Sequence, residues 1–247
     1  MTVQPQAPPQ LLAARGISLL LHGAPKAGKT TLANTVPAPR LVLDAESGSF
    51  WAPGRKIAWD PRREPVPYWD GSWDTCMVTV HDISTVSAAY DQLRTGRHPF
   101  NGLVMDSLTE IQQRMMDSLA GTKQMSRDHW GALLRQVNAM IRQFRDLITH
   151  PVRPLWGICY ICGTHQRDGK WRPLLQGGGQ DFVPYYVDVL GYLAAMADGT
   201  RQLLIGPHPQ FETGERLHGR LPYSMLIGDG THPGYTIETM LQQVNAR

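Results

Sequence analysis

Residues 23–31 read Gly23-Ala24-Pro25-Lys26-Ala27-Gly28-Lys29-Thr30-Thr31, an order in which each residue type has a chemical use. Glycines let the backbone wrap an anion with its N–H groups, and Lys29 can reach phosphate oxygens as a point charge. The Thr30 hydroxyl is a hard oxygen ligand of the kind a divalent cation prefers. An apolar run, residues 17–22, precedes the loop, and residues 30–36 follow it with helical composition. Strand, loop and helix in this order put the positive end of a helix dipole on the same anion. The segment predicts a site for ATP and Mg²⁺, with residues 23–31 around the phosphates.

A metal held by one hydroxyl needs a carboxylate as well. The apolar run 102–105 (GLVM) ends at Asp106-Ser107, and Asp106 would share the Mg²⁺ with Thr30. An aspartate or serine there could equally cap the next helix. A second apolar run, 41–44 (LVLD), leads into Ala45-Glu46. A carboxylate near the terminal phosphate can orient a water and accept its proton, so Glu46 is a candidate general base; its other reading is a solvated turn residue. Phe50 or Trp51, just beyond, is placed to stack on adenine.

These groups need elements to position them. Runs 17–22, 41–44, 102–105 and 155–161 are short and apolar, as strands buried on both faces are. Residues 84–93 and 108–119 have helical spacing, and 130–148 carry Leu133, Val137, Met140, Ile141, Phe144 and Leu147 on one stripe. Residues 187–196 and 201–205 read as a strand pair turning at Asp198-Gly199. The alternation predicts an α/β fold: a mostly parallel twisted sheet with helices on both faces and antiparallel strands at the C-terminal end. Residues 1–10 hold three prolines and few apolar side chains, so a loose tail is expected before one domain at 11–247. Within it, 50–75 is a Trp- and Pro-rich surface insertion. Its tryptophans are either anchors to the core or a base-stacking surface.

At 247 residues, with 42% hydrophobic and 18% charged residues, the composition is that of a folded globular chain, not a disordered one. A net charge of +3 permits a nucleic-acid partner without requiring one. The three cysteines cannot all pair, and no signal peptide or apolar run of about 18 residues is present, which predicts a cytoplasmic protein with no membrane partner. Cys159 and Cys162 lie three apart on a strand and face opposite sides of the sheet, so neither zinc nor a disulfide is expected there. His150, His208, His218 and His232 lack ligand spacing.

The loop at 23–31, the Asp44-Ala45-Glu46 strand end and the Asp106-Ser107 strand end together resemble the RecA family of P-loop ATPases, over roughly residues 17–222. The resemblance implies further assignments. His165 or Gln166, after the strand at 155–161, would sense the terminal phosphate. The following segment, with Arg167, Lys170, Arg172 and Gly177, Gly178 and Gly179, would be a mobile second DNA-binding loop; its other reading is an ordinary hairpin or a subunit-contact loop. Lys123 and Arg127, in 121–129, stand where a first such loop falls. The stretch 211–222 resembles a basic hairpin that reaches a neighbour's nucleotide, with Arg216 or Arg220 as the finger.

The small size and the ending of that stretch look most like phage-type single-strand annealing ATPases of the Sak group. The partners implied are single-stranded DNA, further copies of the chain in a ring or filament, and a single-strand DNA-binding protein; the location would be the bacterial host cytoplasm if the chain is phage-encoded. Two rivals remain: a nucleotide-gated assembly or loader ATPase without DNA contact, and a small-molecule P-loop kinase.

Overall fold

The computed structural model describes residues 15–228 and 234–246, so the tail expected at 1–10 and His232 lie outside the described residues. In chain order, β1 (Ile17–His22) runs through the glycine loop into α1 (Lys29–Ala33), and β2 (Arg40–Asp44) follows. Next come β3 (Lys56–Ala58), β4 (Thr75–Thr79), α2 (Ile83–Leu93), β5 (Gly102–Asp106), α3 (Leu108–Ala120) and α4 (Arg127–Asp146). The C-terminal half adds β6 (Gly157–Ile161), β7 (Thr164–Arg167), β8 (Lys170–Pro173), α5 (Gly179–Phe182) and β9 (Val189–Ala195). It ends with β10 (Arg201–Leu204), β11 (Gly214–Glu215), β12 (Ser224–Ile227) and α6 (Ile237–Asn245).

One sheet has the strand order β12-β10-β9-β1-β6-β5-β2-β4-β3, with β11 also on β9. From β9 through β3 every neighbour pair is parallel, and β10, β11 and β12 are antiparallel to their partners. The mostly parallel sheet with an antiparallel finish is therefore present. Helices cover both faces, and this explains why the central strands are buried along almost their whole length, with polar residues mainly at their ends. Leu20, Leu41, Leu43, Leu103, Met105 and Tyr160 pack with α2, α3 and α4, while Leu19, Leu21, Val42, Val104 and Ile161 pack with α1 and α6. Cys159 belongs to the second group and Cys162 to the first, as the period of two requires.

Several expectations need correction. Residues 34–36 are not helical: the Asn34 amide turns back to the Thr30 carbonyl at 2.9 Å, and the Thr35 hydroxyl to that of Leu32 at 2.7 Å. Such side-chain bonds compete with the helix ladder, and Pro37 cannot extend it. β4, β12 and α6 went unread. β4 is a short run beside the Trp-rich segment, and β12 exposes every second residue as the strand at the end of the sheet order. α6 did carry a signal, because Ile237, Met240, Leu241 and Val244 have helical spacing and are buried.

The segment at 50–75 contributes β3 to the sheet, and Trp59 and Trp73 are core residues, each with its ring centre 6.2 Å from that of Phe100. Residues 164–173 form the hydrogen-bonded hairpin β7–β8, and Gly179 opens α5, so the segment expected as a mobile loop contains regular elements. In 211–222 only Gly214–Glu215 is strand, paired to β9, and no basic hairpin forms.

Candidate active site

Strand register brings the acidic residues together. β2 and β5 pair so that Asp44 stands opposite Asp106, and the Ala45 N–H donates to the Asp106 carbonyl at 2.7 Å. The chain past β2 thus runs beside the end of β5, which sets Glu46 next to Ser107; the Ser107 hydroxyl donates to Glu46 Oε1. β6 lies between β1 and β5, so the carboxylate strand is one strand removed from the loop strand, not its neighbour. The gap is bridged from above, where the Thr30 hydroxyl donates to Asp106 Oδ2 at 2.9 Å. Ser49 donates to the same oxygen at 2.9 Å.

Gly23, Pro25, Lys26, Gly28, Lys29, Thr30, Thr31, Glu46, Asp106 and Ser107 line one cleft of about 680 Å³, and Gly163, Thr164, Leu174 and Arg201 complete its lining. Gly23 is pressed against β9: a β-carbon there would lie 2.5 Å from the Leu193 carbonyl oxygen. Gly28, at φ 96°, opens α1 without a side-chain cap, which leaves the first-turn N–H groups to an anion. Lys29 Nζ donates to the Gly23 and Ala24 carbonyls at 2.9 and 2.8 Å, inside the loop that it would serve.

Burial shapes the charges. Asp106 is 1% exposed, and burial pushes its pKa up to about 6, against the hydrogen bonds from Thr30 and Ser49 and with the help of the nearby Asp44 and Glu46 charges. Asp44 is also raised by burial, opposed by backbone N–H groups of residues 46–49. Burial lowers Lys29, and Glu46 and Asp106 pull it back up. A hydroxyl and a buried carboxylate already in contact beside the glycine loop are a fitting oxygen donor pair for Mg²⁺.

The remaining candidates are elsewhere. Neither His165 nor Gln166 lines the cleft; Thr164 does. Its hydroxyl donates to the Arg172 carbonyl at 3.0 Å across the hairpin, and it meets His22 Nδ1 at 3.2 Å. His22, at the end of β1, is buried, held neutral with a pKa lowered to about 4 by burial, and its other nitrogen contacts the Glu212 carbonyl at 2.8 Å. Phe50 and Trp51 do not line the cleft, and Trp51 is 84% exposed.

Arg167, Lys170 and Arg172 lie on the hairpin, where Arg167 stands 3.7 Å from Asp168 and Arg172 4.0 Å from Glu212. Gly177 packs on Trp130, and the buried Gln112 side chain binds the Gln176 backbone at both its N–H and its carbonyl. Lys123 and Arg127 are exposed before and within the first turn of α4.

Arg216 donates to the Tyr185 and Val187 carbonyls, and Arg220 to that of Val244 at 2.7 Å. Arg216 sits by Asp188, at the opposite end of β9 from the glycine loop, so it does not reach its own chain's cleft. Sequence reasoning missed Ser49, Thr164 and Arg201. Only Ser49 carried a local signal, as a hydroxyl three residues past Glu46.

A family model described as AAA domain matches residues 15–217. Among curated proteins none matches the chain significantly. No helix among the described residues is long and apolar enough to cross a membrane.

Proposed function

The chain belongs to the AAA-domain family, a P-loop ATPase type, and from that premise we propose that it hydrolyses Mg²⁺-bound ATP in this cleft and uses the cycle to gate its hold on single-stranded DNA. The observation that carries the hydrolytic part is the convergence of Lys29, the Thr30–Asp106 contact and Glu46 on one cavity. Thr30 and Asp106 would hold the Mg²⁺, whose charge would offset that of the phosphates. Lys29 leaves the loop carbonyls for phosphate oxygens. Glu46 orients a water; as that water bonds to the terminal phosphorus and the bond to the ADP oxygen breaks, Glu46 takes its proton. Ser107, hydrogen-bonded to Glu46, holds the carboxylate at the strand end.

The DNA reading rests on the hairpin β7–β8. It starts at Thr164 in the cleft and carries Arg167, Lys170 and Arg172 on one face, a basic surface that suits the phosphates of a single strand. Assembly into a ring or filament, with ATP at subunit interfaces and annealing or strand exchange as the output, completes this reading. A second reading, a nucleotide-gated loader that binds a protein, draws on Asp181, Asp188, Glu212 and Glu215, which share a groove with Lys170, Arg172 and Arg216 and offset their charge.

ATP turnover measured with and without single-stranded DNA separates the two. Stimulation that weakens with added salt is expected from the DNA reading; turnover that single-stranded DNA does not change, with DNA binding that ignores both ATP and salt, would eliminate it and leave the loader. In the same assay Glu46→Gln should keep ATP binding and lose turnover by about 10²-fold or more, the scale of a general base. Wild-type turnover in that variant removes Glu46 from the reaction.

A further inference from the structure

We infer that Arg201, which no sequence motif marks, is a nucleotide-binding residue that clamps the phosphate chain in cis from the wall opposite the acidic pair. The inference rests on the reading of the cleft as an ATP site. Register brings Arg201 to the right height. On β9, Tyr192 pairs with His22, the last residue of β1, and also with Leu204 of β10. β10 runs antiparallel, so Arg201 pairs with Ala195, three residues farther along β9 in the direction of the loop rim. At a strand's rise that is about 10 Å beyond the end of β1, the level of the glycine loop.

The side chain then lies across the loop itself. A β-carbon built at Gly28 would come 2.4 Å from Arg201 Nε and 2.7 Å from its Cδ. Gly28 therefore meets two demands, a left-handed φ of 96° and room for this arginine. Arg201 lines the cleft together with Lys26 and Lys29, and the two carboxylates that line it come from the other wall, Glu46 just past the end of β2 and Asp106 at the end of β5.

A triphosphate with its terminal group at Glu46 and its metal at Thr30 and Asp106 extends the rest of its phosphates toward Gly28 and Arg201. A planar guanidinium can bond two phosphate oxygens at once, where a lysine offers a point charge. Such a contact is made to groups that ADP keeps, so it contributes to binding before and after hydrolysis and little to the chemical step. Arg216 and Arg220, held to backbone carbonyls of their own chain, lie away from this position.

The test compares wild type, Arg201→Ala, Arg201→Lys and Lys29→Ala for ATP and ADP affinity, steady-state turnover and melting temperature. Arg201→Ala should raise Kd for both nucleotides, and KM with them, about tenfold, the loss of one charge-assisted contact. Its kcat should stay near that of wild type, and Arg201→Lys should recover part of the affinity. Affinities equal to wild type in both Arg201 variants, with binding lost in Lys29→Ala, overturn the inference and leave the ATP site standing. A fall in kcat and melting temperature with KM unchanged assigns Arg201 a structural role and also overturns it. Should Arg201→Ala not fold, Arg201→Lys decides by the same Kd comparison. Absence of nucleotide binding in the wild type would remove the site and the inference together.

Discussion

At the scale of single residues, Asp106 governs how the site responds to pH. Its pKa is raised from 3.8 to about 6 by burial, so folding favours its protonated form. The stability it contributes is fully present below about pH 4 and is lost as pH rises through about 6. Metal binding has the opposite sign, because only the carboxylate is a ligand. Mg²⁺-dependent nucleotide affinity should therefore fall as pH drops below about 6, approaching tenfold per unit. Asp106→Asn should remove both effects: its melting temperature climbs more steeply between about pH 4 and 6 than that of wild type, in which Asp106 offsets the rise from His22 and His98, both lowered to about 4 by burial, and Mg²⁺ no longer strengthens nucleotide binding. Melts across that range with a wild-type slope in D106N would show that another group titrates. Much of this site was legible, since the loop at 23–31, Glu46 and Asp106 are each marked by a local pattern at a strand end. Arg201 and Thr164 were not. One is an arginine on an ordinary hairpin strand and the other a threonine among many, and only register carries them to the cleft.

At the scale of elements, the hairpin β7–β8 is the part best placed to respond to the phosphates. Thr164 opens it in the cleft and bonds to Arg172 across it. α3, capped by Ser107, grips the residues on either side of the hairpin: Thr109 donates to the Leu174 carbonyl at 3.0 Å and accepts from the Gly163 N–H at 3.0 Å. Thr164→Val keeps shape but deletes the hydroxyl bonds beside His22. It should cost about 1–2 kcal/mol of stability, read by chemical denaturation, because Arg172 and His22 lose a partner. If the hairpin transmits the nucleotide state, the variant should bind ATP normally yet show less stimulation by single-stranded DNA. Undiminished stimulation would assign coupling to another element. The chain's periodicity predicted α4 and the strands beneath it well, since long stripes and apolar runs are local signals. It left the hairpin open as one of two readings, because β7 and β8 are short, polar and half exposed, and their pairing, not their composition, makes them strands.

At the scale of the whole molecule, the far end of the sheet is built by the segment at 50–75. Trp59 and Trp73 are each 4% exposed in the larger core cluster, whereas Trp51 is 84% exposed. Trp73→Ala should cost about 3–5 kcal/mol by leaving a cavity against Phe100, and Trp51→Ala should stay within ~0.5 kcal/mol of wild type. Equal denaturation midpoints for the two variants would contradict this division of anchor and surface. The sequence by itself determined the glycine loop, the strand-end positions of Glu46 and Asp106 and the parallel α/β plan, because each is written in contiguous residues whose spacing follows the strand or helix period. Only the tertiary structure decided that β6 stands between the loop strand and Asp106, that Thr164 and Arg201 line the cleft, and that Arg216 is turned back onto its own chain. Those outcomes depend on strand order and on pairings between residues far apart in sequence. Such pairings are set by how two faces of one sheet are buried at once, which no local window contains.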